Sequence, residues 1–425
     1  MTISYRSSLL MCLVIGLSGC GGEGAPDTRV SAAQLSKADV TFAPEVEPDA
    51  FYHASEQELQ RAPGSILGSR QVPFTLNGQT LPNEAWQLKF ASRNSAGEPI
   101  VGMATVVKPT IASASPKLVS FQIAYNGLGA RCTPSQTLSG NSDADNGVIN
   151  YGSYGVGLNV LGWTMVFPDF EGPYHTYGAG KLSGQVTLDA IRAAQSFEPL
   201  GLLGNAPTMM WGYSGGAIAT SWASALHPVY ANELNLIGAV SGGTPADLLG
   251  VARGAEDQFF FGLVFSALVG INREFPQLFE GNLNAEGLRV ANAIKDGCGG
   301  VPADGSEGAS GNISKYVNVA DFYNQPHMLE LEKSISLPQA AGNPRIPVFF
   351  YHEILDEVIP VEGVDKVVDA WCAKGTPVTY LRSLTGEHLT GSRFTPEALD
   401  FIESRFAGRD FLLAPTATRC NVAGA

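Results

Sequence analysis

Short apolar runs recur along this chain at intervals too wide for hairpins. Leu118–Ala124, Thr164–Pro168, Thr208–Trp211, Leu236–Val240, Val348–Tyr351 and Val378–Leu381 are each brief and mostly apolar. Runs of this kind read as strands buried on both faces, the state of a parallel sheet covered by helices. The stretches between most of them have room for a crossover helix. Upstream, Trp86–Ser92 and Ile100–Val107 are also strand-like, and Ser95-Ala96-Gly97-Glu98-Pro99 between them predicts a hairpin turn. The pattern predicts an α/β fold with a mostly parallel central sheet.

One gap breaks the rhythm. Between the Leu236 and Val348 runs, Phe259-Phe260-Phe261-Gly262-Leu263-Val264-Phe265-Ser266-Ala267-Leu268-Val269 is almost wholly apolar. It is too short to span a bilayer. It predicts a helical cap, residues 245–343, inserted between two parts of an α/β core, residues 47–244 and 344–425. Phe259, Phe261, Phe265 and Leu268 are candidates for lining an apolar pocket beneath that cap. The plainer reading, a helix packed for stability alone, overlaps with this one. Gly297-Cys298-Gly299-Gly300 through Gly311 is a Gly/Ser-rich loop within the insertion.

The N-terminus has a different character. Arg6 precedes the apolar run Leu9–Leu17, which has signal-peptide length. The run ends in Leu17-Ser18-Gly19-Cys20. This resembles a bacterial lipoprotein signal, in which small residues precede a Cys that is lipidated and becomes the mature N-terminus. Residues 1–20 are then a leader and Cys20 a lipid anchor. Gly21 in place of Asp favours an outer-membrane destination by the same resemblance; ordinary secretion is the alternative. Residues 21–46, rich in small residues and charge, read as a flexible tether.

Composition narrows the partners. Of 425 residues, 44% are hydrophobic and 16% charged, which supplies a sizeable core. With 26 Lys+Arg against 40 Asp+Glu, the formal net charge is −14. Such a chain repels nucleic-acid phosphates and anionic lipid, so its substrate is expected to be neutral or recognised by shape and apolarity. Outside the leader and Cys20, four cysteines remain: Cys132, Cys298, Cys372 and Cys420. An even number in an exported chain suggests two disulfides, and spacing leaves all three connectivities open. No C-x-x-C occurs, which argues against a zinc ribbon or thioredoxin-type site.

The chemistry centres on Gly212-Tyr213-Ser214-Gly215-Gly216. An apolar run leads into it, and a stretch of small residues without Gly or Pro follows. Strand, sharp turn and helix is the setting in which a serine is held with its Oγ exposed, with the next N–H aimed where an oxyanion forms. That donor is Gly215. A serine nucleophile needs a base, and the base needs an acid to set its tautomer. His327, His352 and His388 follow Ser214 by at least a crossover unit. His388, in a loop just after the last strand, is the expected base. Asp356, beyond the end of the preceding strand and leading into Pro360, is the preferred acid, with Glu353 and Glu357 as competitors. Tyr125-Asn126-Gly127-Leu128-Gly129 follows the Leu118 strand and is expected to supply a second oxyanion donor, taken as Gly127, although which N–H donates is open. Asp169 and Glu171, just after a strand, tempt as a metal or acid pair.

At this point a specific resemblance covers most of the chain. Phe51-Tyr52 with Pro63–Arg70, Pro168-Asp169-Phe170-Glu171-Gly172-Pro173 with Ala179-Gly180 and Leu188–Ala193, the Ser214 turn, Tyr351-His352 with Asp356-Glu357 and Pro360, and Glu387-His388 together resemble the lipase A-type secretory lipases. The resemblance implies an α/β-hydrolase fold with a helical cap, and Ser214, Asp356 and His388 as the triad. It implies Gly215 as an oxyanion donor, a structural role for Asp169 and Glu171, and the pairing Cys132–Cys298 and Cys372–Cys420. The family often carries an Asp near the position of Gly127, where Gly stands here. The expected function is hydrolysis of acyl esters by a lipase or carboxylesterase, through an acyl-enzyme, with no metal or organic cofactor. The expected partners are an acyl ester or lipid and a membrane reached through the anchor, with the protein acting as a monomer. The alternatives are an amidase or peptidase on the same fold, or a cell-surface binding lipoprotein with an inactive hydrolase fold.

Overall fold

The computed structural model describes residues 42–76, 78–111, 113–142, 161–279, 281–299, 311–340, 342–384, 386–411 and 417–422. The leader and Cys20 lie outside them. One twisted sheet organises the described chain. Its strands are β1 (Ile66–Leu76), β2 (Gln79–Arg93), β3 (Pro99–Val107), β4 (Leu118–Gln122), β5 (Thr164–Pro168), β6 (Thr208–Tyr213), β7 (Leu236–Gly242), β8 (Val348–Glu353), β9 (Val378–Ser383) and β10 (Thr418–Cys420), in the order β1-β2-β3-β5-β4-β6-β7-β8-β9-β10. From β5 to β9 every pairing is parallel, and the strands outside that span pair antiparallel. Every residue of β4, β5 and β6 is buried, as runs covered on both faces must be. The expected parallel α/β sheet is therefore present.

Helices α1 (Gly180–Ser196), α2 (Gly215–Tyr230) and α7 (Glu362–Ala373) share one apolar layer with the sheet. Helix α8 (Thr395–Ala407) packs Ala398, Phe401 and Ile402 into the layer on the other face. Between β7 and β8 the chain forms α3 (Leu248–Gly254), α4 (Phe261–Glu274), α5 (Ala285–Ile294) and α6 (Pro326–Ile335). These helices bury a third apolar cluster, built largely from the insertion's own side chains.

Two details depart from the sequence expectations. Residues 42–46 were grouped with the flexible tether, but Phe42 is 2% exposed within the inserted cluster. Its carbonyl accepts from Arg273 Nε at 2.9 Å, and the Glu45 N–H donates to Asp296 Oδ1 at 2.7 Å. Tertiary contacts hold this end of the segment. The apolar run from Phe259 predicts helix throughout, yet α4 begins only at Phe261. Asp257 takes φ 60°, so the chain turns before the helix and leaves Phe259 69% exposed.

Candidate active site

Ser214 stands between β6 and α2 with φ 52° and ψ −125°. A non-glycine residue holds such a conformation only where its surroundings enforce it. The neighbouring glycines show how. A Cβ on Gly212 would lie 2.4 Å from the Gly216 carbonyl oxygen, and one on Gly216 would lie 1.9 Å from the Gln122 carbonyl oxygen. Helix α2 starts too close to β4 and β6 for side chains at either position. The Ser214 N–H donates to the Gly242 carbonyl at 2.9 Å, tying the turn to the end of β7.

The loops after β8 and β9 meet this turn. His388 Nε2 lies 2.8 Å from Ser214 Oγ, and Nδ1 lies 2.7 Å from Asp356 Oδ2. Nδ1 faces a carboxylate and therefore carries the proton, which leaves the Nε2 lone pair for the serine hydroxyl. The His388 N–H donates to Glu357 Oε2 at 2.8 Å, and its carbonyl accepts from Tyr213 Oη. The Tyr213 and His388 rings are 5.3 Å apart. The base is thus held from both ends of its own backbone. Asp356 Oδ1 accepts from the N–H groups of Val358 at 3.0 Å and Ile359 at 2.7 Å. Burial raises the Asp356 carboxyl, but donation from His352 and His388 outweighs it and holds the group well below the usual carboxylate range. Of the competing acids, Glu357 bonds the His388 backbone. Glu353 is buried against Gly386, where a Cβ would lie 2.3 Å from its Oε1. Asp356 alone of the three meets the imidazole.

Gly127, the expected second oxyanion donor, lies in the loop after β4 beside Cys132, and its N–H favours the charged form of the buried Glu171 carboxyl. The neighbouring Leu128 N–H is taken by the Gly297 carbonyl at 2.8 Å. Asn126, in the same loop, adopts φ 46° and stands over Gly215. The local signal was the Asn-Gly pair, because Asn tolerates the left-handed region.

The floor of this loop is polar and buried. Asp169 accepts from Ser135 N at 2.9 Å and Ser135 Oγ at 2.5 Å, and burial pushes its carboxyl up to about 7 despite these bonds. Burial pushes the Glu171 carboxyl well above its ordinary value, although the Gly127 N–H and the Arg273 cation act the other way. Arg273, from α4, donates to the carbonyls of Leu128 at 2.8 Å, Tyr174 at 2.8 Å and His175 at 3.0 Å. Both disulfides expected from the resemblance form, with Cα separations of 5.4 Å for Cys132–Cys298 and 5.7 Å for Cys372–Cys420. The first clips the loop after β4 to the insertion. The second pins β10 to α7. No group of His, Cys, Asp and Glu suited to a metal ion occurs among the described residues.

The pocket candidates do not stand together. Phe259 is exposed beside Phe260. Phe261 and Phe265 stack on one another and on Tyr316, with ring centroids 4.8 to 6.2 Å apart, and Leu268 is buried in the same cluster. Positions 261, 265 and 268 share one helical face, and that face fills the insertion's own core.

The Secretory lipase family matches residues 156–412. Lipase 4 of Candida albicans is 33% identical over 377 residues, covering 85% of this chain and 82% of that one. A secreted triacylglycerol lipase of Malassezia furfur is 31% identical, covering 85% and 76%. Among solved structures, Candida antarctica lipase A superposes with a TM-score of 0.80 at 28% identity, covering 86% of this chain and 87% of that one. A rice cell wall degrading esterase from Xanthomonas oryzae shares the fold alone, with a TM-score of 0.61 at 17% identity, covering 83% and 99%. A parallel sheet, a strained serine turn and relatives matched over most of their length agree: the chain belongs to the secretory lipase family, serine ester hydrolases of the α/β-hydrolase fold.

Proposed function

We propose that Ser214, His388 and Asp356 carry out ester hydrolysis on neutral acyl esters with an apolar acyl chain. Ser214 Oγ attacks the ester carbonyl carbon while His388 Nε2 takes the hydroxyl proton. The carbonyl π electrons move to oxygen, and Asp356 stabilises the imidazolium. Collapse of the tetrahedral intermediate breaks the acyl–oxygen bond, and His388 returns the proton to the departing alcohol. Water then adds to the acyl-enzyme, with His388 as base, and the carboxylic acid leaves with Ser214 restored. The hydrogen-bonded path from Ser214 through His388 to Asp356 is the observation that carries this reading. Gly215 heads α2, so its N–H has no helical carbonyl to bond and is free for the oxyanion. Asn126 takes the second place that the sequence assigned to Gly127. The active unit is a single chain, since one chain supplies all these groups.

The substrate class follows from the acidic, charge-poor chain and from relatives named as lipases. Export is supported by the secretory family and by the leader. The finer inference, that Cys20 is lipidated, rests on Leu17-Ser18-Gly19-Cys20 alone. Mass spectrometry of the mature N-terminus should find a diacylated Cys20. Cleavage elsewhere, with release into the medium, would leave plain secretion. The catalytic reading is tested by a fluorophosphonate probe: one adduct on Ser214, with loss of nitrophenyl ester hydrolysis in proportion. Labelling elsewhere, or activity surviving full modification of Ser214, overturns it.

A further inference from the structure

His352 takes no part in the proton path, yet it is 2% exposed and packed against the acid of that path. Its Nε2 lies 3.0 Å from the Ile359 carbonyl oxygen and 3.3 Å from Asp356 Oδ2. Both neighbours are acceptors, so Nε2 carries the ring proton and shares it between them. Nδ1 has no hydrogen-bond partner among the described residues and needs none in that tautomer. Ile359 closes the arrangement. Its N–H donates to Asp356 Oδ1 at 2.7 Å, while its carbonyl accepts from the ring that also reaches Oδ2. The carboxylate is thus gripped at both oxygens by one turn and one imidazole. Oδ2 divides its acceptance between His388 and His352.

We propose that His352 is a positioning residue for Asp356. It fixes the carboxylate rotamer towards His388. By drawing on Oδ2, it also tempers how strongly Asp356 supports the His388 imidazolium. This rests on the reading of Ser214, His388 and Asp356 as catalytic. Around the ring, Asp356 is the charged group in contact, His388 acts through it, Glu353 follows in the chain, and Arg382 is the register partner on β9. Without the Nε2–H, Asp356 gains rotamer freedom and its Oδ2 is left wholly to His388. The first change lowers kcat. The second stabilises the imidazolium and moves the acid limb of kcat/KM to higher pH.

The test uses the mature chain on nitrophenyl butyrate. His352→Leu should lose about 10- to 100-fold in kcat, the size expected for removing such a supporting donor, with little change in KM. Its acid limb should move upward. His352→Gln keeps a donor and should recover most of kcat and the original limb. In an Asp356→Asn background, His352→Leu should cost nothing further, because its route runs through the carboxylate. If His352→Leu is not recovered folded, His352→Asn, too short to reach Oδ2, must show the same loss and the same shift. An unchanged kcat and acid limb in a folded variant overturns the proposal. So does a full multiplicative loss on top of Asp356→Asn. Ser214→Ala separates the two readings: activity surviving in it overturns the catalytic assignment itself, whereas an inactive Ser214→Ala beside an indifferent His352→Leu overturns only the role of His352.

Discussion

The Asn126 carboxamide stands over Gly215 so closely that a Cβ on Gly215 would lie 1.9 Å from Asn126 Oδ1. The two residues come from different strand ends, β4 and β6, and meet only because those strands are neighbours in the sheet. One carries the N–H at the head of α2, and the other fills the space beside it.

From this contact, Gly215→Ala should push the Asn126 loop away and spoil the oxyanion site while Ser214 and His388 stay in place. Asn126→Ala should lower kcat by about 10²-fold, the usual cost of an oxyanion donor, with KM little changed. Steady-state kinetics on a short-chain nitrophenyl ester would read this. An Asn126→Ala enzyme with wild-type kcat would return the second donor to another N–H of the loop.

Asp356→Asn should lose on the order of 10⁴ in kcat, because an amide favours the wrong imidazole tautomer. Glu357→Gln, which alters the group bonding the His388 backbone, should cost far less, since its amide oxygen still accepts that bond. A reversed ranking of the two variants would move the acid assignment to Glu357.

The insertion offers a packing test. Phe265→Ala removes a ring stacked among Phe261, Phe279 and Tyr316 and should destabilise the protein by about 3–5 kcal/mol in urea unfolding. Phe259→Ser, at an exposed position, should change stability by no more than about 0.5 kcal/mol. The ratio of decanoate to acetate hydrolysis adds the functional half. A selective loss on decanoate in stably folded Phe265 variants would show that this face also lines the acyl site, and an unchanged ratio would leave packing as its role.

Asp169 predicts a pH dependence of stability. Its carboxyl is pushed up to about 7 by burial, from an ordinary value of 3.8. Between those values the native state holds a proton that the unfolded chain has released. Stability contributed by this group is therefore full below about pH 4 and lost as pH rises towards about 7. Asp169→Asn cannot ionise, so the variant should gain on the wild type as pH rises across that window. Urea midpoints at several pH values check the sign, and a relative gain as pH falls would show that Asp169 is ionised in the native protein.

The sequence by itself determined the parallel strands, the serine turn and the order of nucleophile, acid and base. These were legible because each is local. Buried strands need short apolar runs, a sharp strand-to-helix turn needs Gly212 and Gly216, and loops at strand ends are where Asp356 and His388 stand. β1 was not legible: its face is only partly buried, Pro73 interrupts it, and the register shifts between Val72 and Phe74. β10 is three residues long and is held as much by Cys372–Cys420 as by pairing with β9. Tertiary structure alone decided that Asn126 stands over Gly215, because the two residues follow different strands that pair in the sheet. It also decided that Phe261, Phe265 and Leu268 pack into the insertion's own apolar cluster, since a helix's apolar face records that it is covered but not by what. The grip of His352 on Asp356 is local, within residues 352–359, yet it too was not legible, because apolar and polar patterning does not record how the chain beyond β8 turns back on the carboxylate.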